Sequence, residues 1–186
     1  MRIEESSLAD VVSFVPEQRH EDERGWFVRT LDVAVAARAG VDVLAFRQDS
    51  QSRSRLGVIR GMHGRAGEGE AKLVRCARGA VLDVLVDARP DSPTFGEQAT
   101  FRLDDESCRH LFVPPGFLHG FQVLTDWADV CYRIDREHEP GADLAVRYDD
   151  PDLAIAWPLP VSTVSARDAG AGSWRDLRTQ LEGTRR

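Results

Sequence analysis

From about residue 43 to residue 135 the chain alternates apolar and polar positions in short runs, the period of strands with one face buried. Residues 58–59, 73–78, 81–87, 99–103, 111–113, 121–124 and 130–134 read as strands on this pattern. Gly79, Asp91-Ser92-Pro93, Asp104-Asp105-Glu106-Ser107, Pro114-Pro115-Gly116 and Thr125-Asp126 separate them with the residue types that reversals need. Many short strands at such spacing predict an all-β fold, a sandwich or jelly roll. Helix is expected only near the ends. One covers residues 32–39, capped by Asp32 and stopped by Gly40, and a second covers residues 173–182. Between them, residues 136–172 are rich in Asp, Pro, Gly and Ala and predict ordered loops over the barrel. No repeat or linker divides the chain. Residues 1–186 are therefore read as a single domain, with a core of about 43–135, an N-terminal arm 1–42 and a C-terminal part 136–186.

Composition narrows the function classes. The 186 residues, 42% hydrophobic, suit one compact domain with a full-sized core. No stretch approaches the roughly 18 to 20 apolar residues of a membrane span. The N-terminus, Met1-Arg2-Ile3-Glu4-Glu5-Ser6, lacks the form of a signal peptide, so a cytoplasmic location with no membrane partner is expected. Cys76, Cys108 and Cys131 are odd in number and widely spaced, which favours buried free thiols over a disulfide frame or a zinc site. A net charge of −7 argues against a general nucleic-acid binder. An anionic ligand must find a local basic pocket, for which Arg24, Arg60 and Lys72 are candidates; Arg53 and Arg55 read as a solvated face.

Two histidines carry the candidate chemistry. His63 ends the run Leu56-Gly57-Val58-Ile59-Arg60-Gly61-Met62-His63, and His119 lies in Pro114-Pro115-Gly116-Phe117-Leu118-His119-Gly120. On neighbouring strands of a barrel they face one cavity, where without a metal they move protons or donate hydrogen bonds. A metal centre is the alternative, because the second run fits the later half of the metal-binding cupin pattern. The earlier half normally brings two histidines one residue apart, whereas here His63-Gly64-Arg65 lacks a ligand and places a cation beside the site. Glu68 or Glu70 could still join His63 and His119; the metal-free reading is favoured.

Several blocks resemble the dTDP-4-dehydrorhamnose 3,5-epimerases and related epimerases of deoxysugar biosynthesis. They are Asp22-Glu23-Arg24-Gly25-Trp26-Phe27, Gln48-Asp49-Ser50, residues 57–63, Lys72-Leu73-Val74-Arg75, residues 91–96, residues 113–121 and Asp149-Asp150-Pro151-Asp152-Leu153. The resemblance implies a cupin-like jelly-roll homodimer with short terminal helices and no metal or nucleotide cofactor. It would invert centres beside the C4 ketone of a nucleotide-linked 6-deoxyhexose such as dTDP-4-keto-6-deoxyglucose. By resemblance His63 is the base, Asp168 the carboxylate that orients it, Lys72 and His119 the enolate stabilisers, and Tyr132 the acid on the opposite face. The same resemblance assigns substrate binding to Arg24, Trp26, Arg29, Gln48, Ser50, Arg60, His138, Asp143 and Arg167. It sets the N-terminal arm at the dimer interface, so that Arg24 and Trp26 act across it. By residue type alone Asp168 is a cap, His63 is a satisfied interior histidine, His119 satisfies a turn, Lys72 is a surface lysine and Tyr132 belongs to the core.

Four positions depart from the family pattern: Arg29 replaces a glutamate, Ser50 an asparagine, Gly64 an aromatic and His138 a tyrosine. Arg29 reverses a charge, so contacts to the nucleoside are expected to differ, and Gly64 is expected to enlarge the pocket. Inversion at both C3 and C5 is the leading expectation, with a single inversion as the alternative. A sugar-nucleotide binding module would keep Arg24, Arg60 and Lys72 but would not need His63, Asp168 and Tyr132 together.

Overall fold

The computed structural model describes residues 1–137, 139 and 141–183. In chain order its strands are β1 (Arg2–Glu5), β2 (Val12–Val15), β3 (Arg19–Asp22), β4 (Gly25–Val28), β5 (Gln48–Arg55), β6 (Ile59–Arg65) and β7 (Lys72–Arg78). There follow β8 (Ala80–Asp87), β9 (Gln98–Asp104), β10 (His110–Val113), β11 (Phe117–Val123), β12 (Trp127–Ile134) and β13 (Asp143–Ala145). Helices are α1 (Val33–Arg38), α2 (Ala166–Ala169) and α3 (Trp174–Gly183), with a 3-10 turn at Val43–Ala45.

The strands form a cupin-like jelly roll. A six-stranded sheet runs β1-β2-β10-β7-β12-β5, and a five-stranded sheet runs β13-β6-β11-β8-β9; β3 and β4 form a separate hairpin. Alternation within β8 shows why these residues make sheet. Val81 and Leu85 enter the core between the sheets with Phe117 and Phe121, while Val84 and Val86 pack on the outer face against Trp174 and Leu177 of α3. Each fully buried Leu or Phe side chain stabilises by about 2 kcal/mol relative to exposure. The outer face of the six-stranded sheet is covered by α1 and the 3-10 turn, through Ala36, Val41 and Val43 packed with Phe14 and Leu73.

The helix at the N-terminal end follows the expected signals. Asp32 accepts from the Ala34 and Val35 N–H groups, and Gly40 takes the left-handed φ of +74° that ends it. The block at residues 91–96 is held by the buried Asp87 carboxylate, which accepts from Ser92, Thr94 and Arg89. The Asp149–Leu153 block is anchored by buried Asp150, which accepts from the Leu153 and Trp174 N–H groups and so ties a loop to α3. Both blocks are structural ties.

The strands extend beyond the core expected at about 43–135: β1 and β2 build one edge of the six-stranded sheet, and β13 adds an edge to the other. β11 begins at Phe117 instead of residue 121, so His119 is a strand residue and not part of a turn. Residues 136–172, expected to be loops, include β13 and α2. Cys76 and Cys108 are buried and Cys131 is half-buried, all three free. No helix among the described residues is long and apolar enough to cross a membrane.

Candidate active site

A cavity of about 640 Å³ opens between the two sheets. One wall is the five-stranded sheet, which presents His63 from β6 and His119 from β11. These two are directly paired across the strands, so alternation turns both side chains to one face. Two glycines make that pairing tight: a Cβ on Gly61 would sit 2.6 Å from the Gly120 Cα, closer than any side chain tolerates. The facing wall is the six-stranded sheet, which supplies Ser50 and Ser52 from β5, Lys72 from β7 and Tyr132 from β12. Thr163, Ser165, Arg167 and Asp168 close the cavity from the C-terminal segment.

His63 Nε2 lies 2.8 Å from Asp168 Oδ1. The second carboxylate oxygen of Asp168 accepts the Gly61 N–H at 3.2 Å, and the Asp168 N–H donates to the Ser165 hydroxyl, which caps α2. Burial works against the ionised carboxyl, yet the His63 ring, the Gly61 N–H and the Ser165 hydroxyl together hold it below the ordinary carboxylate range. With Nε2 donating to an anion, Nδ1 carries the ring's lone pair.

His119 has its own carboxylate. Its Nε2 is 2.7 Å from Asp83 Oδ2, and both residues are buried. Burial pushes the Asp83 carboxyl up, against the pull of His119 and Lys72, and its other oxygen has no hydrogen-bond partner among the described residues. The His119 and Tyr132 rings meet edge to face at 6.2 Å. Tyr132 shares a hydrogen bond of 3.2 Å with the Ser52 hydroxyl. Burial pushes its phenol up despite that bond, which keeps the proton on the oxygen. Lys72 Nζ is 2.9 Å from Glu70 Oε1, and Arg65 donates to the other Glu70 oxygen at 3.1 Å.

All five catalytic candidates, His63, Asp168, Tyr132, Lys72 and His119, therefore line one cavity, together with Ser50, Arg60 and Arg167. Arg60 is oriented by the Ser54 hydroxyl, and Arg167 by Asp143, whose carboxylate is 2.6 Å away but does not itself line the cavity. Gln48 shares its strand with Ser50 but lies beyond the lining residues. Arg24, Trp26 and Arg29 stand outside the cavity of their own chain. Arg24 pairs with Asp22 at the end of the β3–β4 hairpin, Trp26 is stacked by Arg19, and Arg29 pairs with Asp32. His138 lies outside the described residues.

Gly64 does not enlarge the pocket. Next to His63 in the strand it points to the opposite face, where a Cβ would press on Leu118 and the Phe117 carbonyl at 2.9 and 3.0 Å. Sequence reasoning passed over Asp83 as a functional position, although a carboxylate inside the apolar run of residues 81–86 was the available signal. It also weighed Glu70 only as a metal ligand. Among the described residues no three His, Cys, Asp or Glu side chains converge as a metal site, and Glu70 is turned to two cations instead.

Two imidazoles, each backed by a carboxylate, an ammonium and a protonated phenol around one cavity of a jelly roll make a site for moving protons on a carbon framework. Comparison with known proteins specifies the class. The sequence model of the dTDP-4-dehydrorhamnose 3,5-epimerase family matches residues 5–176, and the chain belongs to that family of isomerases. It is 39% identical over 180 residues to the dTDP-4-dehydrorhamnose 3,5-epimerase of Methanothermobacter thermautotrophicus, which covers 95% of each chain. Over 172 residues it is 40% identical to the dTDP-4-dehydrorhamnose 3-epimerase of Streptomyces niveus, covering 92% of this chain and 83% of that one. It is also similar in structure to the dTDP-6-deoxy-D-glucose-3,5-epimerase of Legionella pneumophila in complex with dTDP-4-keto-L-rhamnose. There the TM-score is 0.89 at 35% identity, with 97% of this chain and 96% of the other covered.

Proposed function

We propose that this chain epimerises a dTDP-linked 4-keto-6-deoxyhexose at C3 and C5, taking a proton from carbon beside the ketone and returning one to the opposite face. The observation that carries this reading is the split of acid and base between the two sheets. His63, backed by Asp168, stands on one wall, and Tyr132, kept protonated by burial, stands on the other. Inversion through a planar enolate needs a base below the plane and an acid above it. Lys72 donates toward the C4 oxygen, where negative charge gathers; His119 does so from its Nδ1–H, with Nε2 accepting a hydrogen bond from the Asp83 carboxyl, which burial pushes up; and the Asp168 anion stabilises the imidazolium formed on His63. The reaction moves protons with no net oxidation, so these side chains account for it without a redox cofactor.

The names of the relatives and the dTDP-sugar in the Legionella neighbour support the substrate class. Arg60 and Arg167 at the cavity suit a diphosphate. A homodimer belongs to the same reading, because Arg24 and Trp26, both exposed on the hairpin, reach a cavity only if it is a second copy's. A single inversion is the second reading, favoured by the Streptomyces niveus relative named a 3-epimerase.

The test is incubation with dTDP-4-keto-6-deoxyglucose in deuterium oxide, followed at C3 and C5 by proton NMR. Exchange at both positions, lost in His63→Ala by about 10²- to 10⁴-fold, is the expected result. Exchange at one position supports single inversion, and exchange at neither overturns the reading. Mixing inactive Arg24→Ala and His63→Ala proteins is expected to restore part of the activity, since mixed dimers regain one complete site.

A further inference from the structure

Behind Lys72 lies a chain of charges that the proton-transfer scheme does not use. Glu70 is held from two sides: Oε1 is 2.9 Å from Lys72 Nζ, and Oε2 accepts from Arg65 at 3.1 Å. Arg65, only 9% exposed, is itself fixed by the Glu137 carbonyl at 2.8 Å and the Glu139 carboxylate at 3.2 Å. Side chains of Lys72 and Glu70 are 13% and 17% exposed, so these ion pairs are poorly screened by water. Glu70 and Lys72 both line the catalytic cavity, whereas Arg65 does not.

We propose that Glu70, anchored by Arg65, is a positioning residue that fixes where the Lys72 ammonium stands in the cavity. The inference rests on the proposed role of Lys72 as a donor to the C4 oxygen. A lysine has four rotatable carbons and a point charge, and nothing in its own chemistry holds it to one place. Here one of its three N–H donors is committed to a carboxylate that cannot turn, because Arg65 grips the far oxygen. Two donors remain for a substrate oxygen. Glu70 also separates two cations: without it the guanidinium of Arg65 and the ammonium of Lys72 are left in one half-buried corner with no anion between them. The device reaches outward as well. Through Arg65 the Glu137 carbonyl and the Glu139 carboxylate are linked to the position of Lys72.

A residue that acts through another shows non-additivity. Glu70→Ala, Lys72→Ala and the double variant are assayed by the same deuterium exchange, with Glu70→Gln as a variant of nearly unchanged volume. Glu70→Ala is expected to lower kcat about 10- to 100-fold with KM changed less than about threefold, since a donor misplaced by an ångström costs that much in rate. In the Lys72→Ala background the same change is expected to cost less than about twofold. Glu70→Gln can satisfy Lys72 through its amide oxygen but not Arg65 at the same time, and is expected to fall between the two. Equal losses from Glu70→Ala with and without Lys72 overturn the proposal. So does a Glu70→Gln protein of full kcat whose only change is a lower melting temperature, which makes Glu70 a structural tie. An absence of exchange in the unaltered protein instead overturns the functional reading on which the proposal stands.

Discussion

His63 with Asp168 and His119 with Asp83 are the same two functional groups at nearly the same separation, 2.8 and 2.7 Å, on histidines that face each other across β6 and β11. Their surroundings differ. Asp168 also accepts a backbone N–H from Gly61, and the His63 side chain is 37% exposed to the cavity. Asp83 is wholly buried, and one of its oxygens has no partner among the described residues. Burial opposes ionisation of both acids, and only at Asp168 do the donors outweigh it. Distance therefore does not define the role of such a pair; the number of donors around the carboxylate does. On the proposed function the first pair gains and loses a proton beside the substrate, and the second holds an imidazole still.

The comparison can be broken most sharply at Asp168. Asp168→Asn removes the anion that steadies the imidazolium and is expected to lower kcat/KM about 10³-fold, measured by deuterium wash-in. It also removes stability. A carboxyl held below its ordinary value contributes stability that is present above the unfolded value and lost as pH falls through the folded one, so denaturation at neutral pH should show a less stable variant.

His110 supplies the control of a histidine with no carboxylate. It is buried on β10 with neither ring nitrogen hydrogen-bonded among the described residues, and burial together with Arg75 and Arg133 lowers it from 6.5 to about 3. Unfolded chains take up a proton near 6.5 that the folded chain refuses, so stability is full above that pH and is lost as pH falls toward 3. The loss at pH 5 is about 2 kcal/mol. Urea denaturation of His110→Leu at pH 5 and pH 7.5 should show that difference largely removed, because the leucine cannot titrate.

The smallest effect is expected at Asp83. Asp83→Asn keeps an amide partner for His119 Nε2 while removing a carboxyl that folding pushes upward, so the sign at this position is opposite to that at Asp168. Activity is expected to fall about tenfold. The melting temperature at neutral pH should hold or rise, because the raised acid costs stability above its folded value. A loss as large as that of Asp168→Asn, in rate and in stability, means the two pairs work alike after all.

Much of the sheet buried on one or both faces could be read from the sequence, although β2, buried along Ser13-Phe14-Val15, could not. β8 is apolar almost throughout and announced itself, whereas β5, Gln48-Asp49-Ser50-Gln51-Ser52-Arg53-Ser54-Arg55, carries no apolar residue and did not. The reason is its place: it is the edge strand of its sheet, with serines turned to the cavity on one side and charged residues to water on the other. His63 and His119 were legible as a facing pair because each ends or enters an apolar run. Asp168 was not, since 105 residues separate it from His63 and nothing in spacing joins them; the family resemblance alone did. Arg24, Trp26 and Arg29 show the converse limit, for the family pattern named them and a single chain does not carry them to its own cavity.

The carboxylate of the base arrives late in the chain. Strands β1 to β13 end at Ala145, yet His63 gains its partner only from α2, at residues 166–169. On the proposed function the base and the anion behind it therefore meet only when the segment that follows the last strand is packed in place. Local opening of residues 166–169 takes the anion away and leaves both histidines on their strands, so the rate of the site becomes a gauge of how firmly that segment is docked.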